Sequence, residues 1–224
     1  MSQGYHAYID HVRGLEQRLG SGDEAVRLAV GGEFEAVGKL EYYLLRSLGL
    51  TTGHLVVDAG CGSGRLAQQL APDKGIRYIG TDVVLRQIES ARISTMRDDW
   101  EFFVTFFSFL THMTHQESFK YLQEASRCLK ASGKVVISFL EFRILCHWET
   151  FLASVKAKAD GPLIQVLDRG AIAAWAGRSG LAIDSFFDGD KVISTIPEEI
   201  RRENGTSMKS LGNLGQSVAV LRKF

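Results

Sequence analysis

The stretch Val56-Val57-Asp58-Ala59-Gly60-Cys61-Gly62-Ser63-Gly64-Arg65 restricts the fold more than any other part of the chain. A β-branched run passes into three glycines at alternate positions, and an amphipathic segment follows from Arg65 to Leu70. Glycine adopts positive φ at no steric cost and has no Cβ to keep a ligand away, and a helix that starts after such a turn offers unpaired N–H groups and a positive dipole end. The pattern predicts a buried strand, a tight turn and a helix, with the turn as a binding loop. A tight turn with no ligand is the alternative reading of the same glycines.

The flanks of the loop narrow the ligand. The dinucleotide fingerprint GxGxxG requires glycine where this chain has Arg65. Asp58, two residues before Gly60, would repel a diphosphate but suits a ligand carrying an ammonium or sulfonium group. S-adenosylmethionine carries both. Asp82 follows the run Arg77-Tyr78-Ile79-Gly80-Thr81 and lies 22 residues after Gly60, where an acid at the end of a second strand can accept both hydroxyls of a ribose. Asp82 also fits a plain helix N-cap, and Asp58 a carboxylate that ties down the loop.

The rest of the chain alternates in the same sense. Residues 5 to 50 read as helices, with Phe34, Val37, Leu40, Leu44 and Leu48 on one stripe. From residue 54 onward, short apolar runs (55–59, 76–80, 104–109, 135–140) alternate with amphipathic segments (65–70, 83–93, 115–129). Ala171 to Gly177 reads as a further helix, and 181–187 and 217–222 as further strands. Such alternation predicts a doubly wound α/β fold with a mostly parallel sheet. With no repeat and no Pro/Ser-rich linker, the expectation is a single domain over 1–224, a helical N-terminal extension (1–53) preceding a Rossmann-like core (54–224).

Composition excludes several classes. The 26 basic and 26 acidic residues cancel, so no cationic field marks nucleic acid or an anionic membrane as the default partner. No apolar run is long enough to span a bilayer and the first thirty residues do not form a signal peptide, which leads to a cytoplasmic expectation. Cys61, Cys128 and Cys146 lack CxxC spacing, and the six histidines form no HExxH or HxH, so no metal site is expected.

The run Asp58 to Arg65, Asp82, the segment Val104-Thr105-Phe106-Phe107-Ser108-Phe109-Leu110-Thr111-His112 and the turn Leu129-Lys130-Ala131-Ser132-Gly133-Lys134 before Val135 together resemble class I S-adenosylmethionine-dependent methyltransferases. The similarity covers residues 54 to 140 well; Ala131-Ser132 replaces the Pro-Gly usual in that turn. The resemblance implies a seven-stranded sheet of order 3-2-1-4-5-7-6 and S-adenosyl-L-methionine as cofactor. It also implies that Asp58, Gly60, Cys61, Gly62 and Gly64 line the methionine and ribose, Asp82 and Val83 the ribose side, and Phe107 and Ser108 the sulfonium end.

Elimination narrows the acceptor. With prolines only at 72, 162 and 197, the chain has no Pro-Pro element for exocyclic base amines, and none of its cysteines follows a proline as a cytosine-C5 nucleophile typically does. What remains is methyl transfer to an O, N or C atom of a small organic acceptor by in-line displacement, with His112 and Glu141 as candidate bases and His147 as a third. A catalytically silent cofactor-binding partner subunit is the alternative, and a homodimer stays open. Gly31-Gly32 reads as a hinge between helical stretches, either a cofactor lid or a plain joint.

One local conflict arises. Trp100-Glu101-Phe102 reads as the family's third strand and Val104 opens its fourth, three places away in the sheet, with only Phe103 between them. Neighbouring strands lie ~4.8 Å apart and a residue spans at most ~3.6 Å, so one residue cannot make the crossover. The expectation is that the sequence omits a loop there, seen as a break between about Asp98 and Thr105, or that the third strand lies elsewhere.

Overall fold

The computed structural model describes residues 3–20, 22–31, 33–82, 84–97, 99, 101–102, 110–156, 163–202 and 205–224. They divide into two units, Met1–Phe107 with Val192–Leu214, and Ser108–Lys191 with Gly215–Phe224.

The first unit opens with helices α1 (Gln3–Leu19), α2 (Asp23–Ala29) and α3 (Phe34–Ser47). Val12 and Leu15 of α1 pack on Ala25 and Ala29 of α2, with Val84 closing the cluster. The expected stripe on α3 is present in Phe34, Leu40 and Leu44, and it includes an unexpected buried carboxylate, Glu41. Strand β1 (Leu55–Ala59), helix α4 (Arg65–Leu70), strand β2 (Arg77–Thr81), helix α5 (Leu85–Thr95) and the short strand β3 (Glu101–Phe102) follow. The three strands pair in parallel in the order β1-β2-β3. The third strand thus lies where the resemblance puts it, beside β2. The expected chain break and the whole expected fourth strand, 104–109, lie outside the described residues. The strand β1 was expected to be buried; Val56 packs against the Leu66, Leu70, Ile76 and Tyr78 core and Asp58 is buried, whereas Leu55 and Val57 on the other face are exposed among the described residues.

The second unit contains a 3-10 turn (Leu110–His112), α6 (His115–Cys128), β4 (Lys134–Glu141), α7 (Leu145–Lys156), β5 (Val166–Leu167), α8 (Arg169–Arg178), β6 (Leu181–Phe187) and, after Gly215, β9 (Ser217–Lys223). Caps set two helix starts. Thr114 and Glu117 form a reciprocal capping box ahead of α6, and Asp168 accepts from the Gly170 N–H at 2.6 Å at the start of α8. The sheet runs β5-β4-β9-β6, with β9 antiparallel to both neighbours. Residues 218–221 of β9 are fully buried, as a central strand covered on both faces requires. The core combines Phe139, Leu181, Ala219 and Leu221 with Leu122, Ile172 and Ala176 from the helices.

Between β6 and β9 the chain inserts an unforeseen antiparallel hairpin, β7 (Ser194–Arg201) and β8 (Ser207–Gly212), which belongs to the first unit. Ile196 and Ile200 pack on Ala36 and Leu40 of α3, and Glu198 accepts from Lys39 at 2.6 Å and Tyr43 at 2.7 Å. The expected order is met in two parts, β3-β2-β1 and β4-β9-β6, while the strand expected to link them, 104–109, lies outside the described residues; β9, antiparallel to both neighbours, makes the second sheet mixed. The described strands form a three-stranded parallel sheet, a four-stranded mixed sheet and a two-stranded hairpin. β5 pairs with the end of β4, Leu140 beside Val166 and Glu141 beside Leu167.

Candidate functional site

The glycine loop forms as its spacing requires. Gly60, Gly62 and Gly64 have φ of +80°, +52° and +86°, a region that costs any other residue strain. Space is also limiting. A Cβ on Gly62 would come within 2.7 Å of the Val30 side chain, and one on Gly64 within 3.0 Å of the Ala91 Cβ. The loop is pinned from within. Both the Gly60 and the Cys61 N–H donate to the Thr81 carbonyl at 2.9 Å, Gly64 N–H donates to the Cys61 carbonyl at 2.9 Å, and Gly62 N–H donates to Asp82 Oδ2 at 3.1 Å. Four loop N–H groups, of Gly60, Cys61, Gly62 and Gly64, are thus engaged within the protein. The glycines leave the backbone of the loop open to close approach, and two carboxylates, Asp58 and Asp82, flank it.

Both carboxylates are buried. Asp82 Oδ2 holds the loop, the part read for Asp58 as an alternative, while Oδ1 accepts from the Val84 N–H at 2.9 Å; the N-cap of α5 is Val84, so the plain N-cap reading of Asp82 is not met. Each oxygen of a carboxylate has a second lone pair for a further donor. Asp58 accepts from the Tyr78 hydroxyl at 2.7 Å. Burial pushes its carboxyl up to about 7, partly offset by the Tyr78 hydrogen bond and by Arg65, while Glu41 and Asp82 push the same way as burial. The Cys61 thiol is pushed up by burial and by Asp58 and Asp82, so it stays a neutral packing group.

Arg65, which excludes the dinucleotide fingerprint, has a structural role that its position alone does not announce. Its guanidinium grips Glu41 of α3 through Nη2 at 2.5 Å and Nε at 3.3 Å, and Nη1 donates to the Gly31 carbonyl at 3.0 Å. The Gly31 joint, at φ +73°, is thereby tied to the helix that follows the loop.

The candidate bases belong to the second unit. His112 ends the 3-10 turn, half-buried, with Nδ1 2.8 Å from the Leu163 carbonyl. Glu141 ends β4 and is buried; Oε2 accepts from Ser217 Oγ at 2.7 Å and Arg169 Nη2 at 3.0 Å, and Oε1 lies 2.8 Å from Arg169 Nε and 3.3 Å from Arg143 Nε. Asp188 joins the network through Arg143, Arg169 and Lys191, and hydrogen bonds from Lys191 and Arg169 hold its carboxyl down at about 2. His147 accepts from the Glu141 N–H at Nδ1 and so carries its proton on Nε2, which donates to the Gly215 carbonyl at 2.9 Å. Both of its nitrogens are engaged. His115 starts α6, as read from the sequence, with its ring 5.5 Å from that of Trp175.

Of the site residues singled out from sequence, Asp58, Gly60, Cys61, Gly62, Gly64 and Asp82 come together in the first unit. Val83, Phe107 and Ser108 lie outside the described residues. Sequence reasoning missed Tyr78 and Glu41; the signal for Tyr78 was a large polar ring at an alternate position to Gly80 on one strand. Among the described residues no group of three His, Cys, Asp or Glu side chains could hold a metal ion, and no helix is long and apolar enough to cross a membrane.

A family model described as a methyltransferase domain matches residues 38–185. No curated protein matches the sequence. Among solved structures, the chain is similar to magnesium protoporphyrin IX methyltransferase from Synechocystis with bound SAH, at TM-score 0.59 and 15% identity over 96% of this chain and 94% of that one. It is also similar to a TehB-like SAM-dependent methyltransferase from Corynebacterium glutamicum, at TM-score 0.55 and 18% identity over 96% and 100% of the two chains. A third similar structure is the putative methyltransferase of Haloferax volcanii in complex with the Trm112 methyltransferase activator, at TM-score 0.56 and 17% identity over 99% and 97%. These identities show a shared α/β fold.

Proposed function

Because the chain belongs to the methyltransferase-domain family, whose model spans well over half of it, we propose that it transfers a methyl group from S-adenosylmethionine to a small organic acceptor. The observation that supports this most is the loop of three positive-φ glycines bracketed by the buried carboxylates Asp58 and Asp82. Such a site fits a cationic nucleoside better than a phosphate. Asp82 would accept the ribose hydroxyls, Asp58 would face the cationic methionine end, and Gly60 to Gly64 would let the ligand approach the backbone, with Val83, Phe107 and Ser108 beside it. When bound, the cofactor supplies a methyl group on a sulfonium, already activated for in-line displacement. The protein's part is to hold the acceptor in line, exclude water and take a proton where the nucleophile has one to lose.

Of the two candidate bases, His112 is the better proposal. It is half-buried rather than sealed, whereas the Glu141 oxygens are wrapped by two guanidinium groups and a hydroxyl. The family's order 3-2-1-4-5-7-6 and a single domain over 1–224 remain part of this reading.

Asp82→Ala should weaken binding of S-adenosylhomocysteine by about 1.5 to 3 kcal/mol, the cost of losing a charged acceptor. Isothermal titration measures this, with NAD as the weak-binding control; an unchanged affinity removes Asp82 from the ribose site. Incubation with labelled S-adenosylmethionine and a metabolite extract then identifies the acceptor. Cofactor binding without any labelled product would favour the silent-partner alternative.

A further inference from the structure

In the parallel register of β1 and β2, Tyr78 stands beside Val56 and Gly80 beside Asp58. Residues 78 and 80 share one face of β2, since side chains alternate along a strand. The Tyr78 ring leans over the position that Gly80 leaves empty. A Cβ at Gly80 would lie 2.5 Å from Tyr78 Cε1 and 2.8 Å from its hydroxyl oxygen. Lying there, the hydroxyl reaches the Asp58 carboxylate at 2.7 Å, and both residues are buried. A glycine two residues on from a tyrosine is therefore what allows a hydroxyl to reach a carboxylate on the neighbouring strand.

We propose that Tyr78 is a positioning residue for the cofactor: its hydroxyl, seated over Gly80, holds Asp58 in place as the anion that a cationic ligand meets. The inference rests on the reading that S-adenosylmethionine binds at the glycine loop. Five groups face Asp58: Tyr78 on β2, Glu41 on α3, Arg65 on α4, Asp82 just after β2 and Cys61 in the loop. Of these, Tyr78 and Arg65 favour its ionised form, while Glu41, Asp82 and burial oppose it.

The sign of the pH effect follows. Ligand binding needs the carboxylate, whose midpoint in the free protein is about 7, so affinity is lost as the pH falls through that value. Tyr78→Phe removes a hydrogen bond to the anion and moves the midpoint upward, so the loss begins at higher pH.

S-adenosylhomocysteine is titrated calorimetrically, from about pH 5.5 to about pH 8, into the wild type, Tyr78→Phe, Asp58→Asn and the double variant. The Tyr78→Phe profile should shift upward by about one pH unit, with affinity roughly fivefold lower at pH 7. Asp58→Asn should abolish this pH dependence, and adding Tyr78→Phe to it should not alter the profile. If the wild type and Tyr78→Phe bind with superimposable profiles, the Tyr78 role is overturned and the cofactor reading stands. A wild type that binds at no pH overturns the cofactor reading and the Tyr78 role with it. A second readout needs no variant: in carbon-13-labelled wild type, the Tyr78 Cζ resonance should titrate with the same midpoint as the Asp58 carboxyl carbon, and a flat Tyr78 signal overturns the proposal.

Discussion

Glu41→Ala should destabilise the protein by about 3 to 5 kcal/mol, because it leaves the charge of a buried arginine without its counter-ion. Arg65 and Glu41 meet through two contacts, at 2.5 Å and 3.3 Å, and their side chains are only 11% and 3% exposed. After the substitution the guanidinium keeps the Gly31 carbonyl at 3.0 Å, a neutral acceptor that cannot replace a carboxylate. The pair joins α3 to α4, so its loss loosens the segment that follows the glycine loop. Urea unfolding provides the measurement, and replacing both partners together, Glu41→Leu with Arg65→Met, should recover most of the stability, because two apolar groups leave no stranded charge. A loss well below 1 kcal/mol in Glu41→Ala would mean that water reaches the pair as it does a surface ion pair.

In the second unit, Glu141→Ala should cost about 3 kcal/mol, at the low end for a broken buried pair. The low end applies because Arg169 keeps Asp188 as a partner after the change, while Ser217 loses an acceptor and remains buried. Glu141→Gln should cost less, since the amide oxygen can still accept from the Ser217 hydroxyl. Thermal unfolding of the three proteins gives this order. A structural role for Glu141 requires that turnover per folded molecule in Glu141→Gln stay near the wild-type value. If that turnover collapses while the melting temperature holds, Glu141 returns as the base and His112 loses its place.

Neither buried ion pair is visible in the sequence, whereas the glycine loop is. The glycine loop was legible because its constraint is local: positive φ at Gly60, Gly62 and Gly64 is a property of single residues, and the strand before and the helix after announce themselves by period. For the same reason the strands 181–187 and 217–223 and the helix after His115 fell close to their expected limits. The helix α7 gave no usable period, since apolar residues such as Leu145 and Val155 lie on its exposed side. The hairpin β7–β8 hid behind Pro197, which argues against a strand, and behind Ile196 and Ile200, whose spacing of four suits a helix as well as one face of a strand.

What the amino-acid order determined by itself was therefore a βα alternation, a glycine turn of defined conformation and two acids flanking it. Only the tertiary structure decided how those acids are held. Tyr78 reaches Asp58 across 20 residues, Arg65 reaches Glu41 across 24, and Arg169 reaches Glu141 across 28. No local propensity encodes such pairs. They form because packing removes water from the carboxylates, and a carboxylate without water must find a donor among whatever side chains the fold has brought beside it.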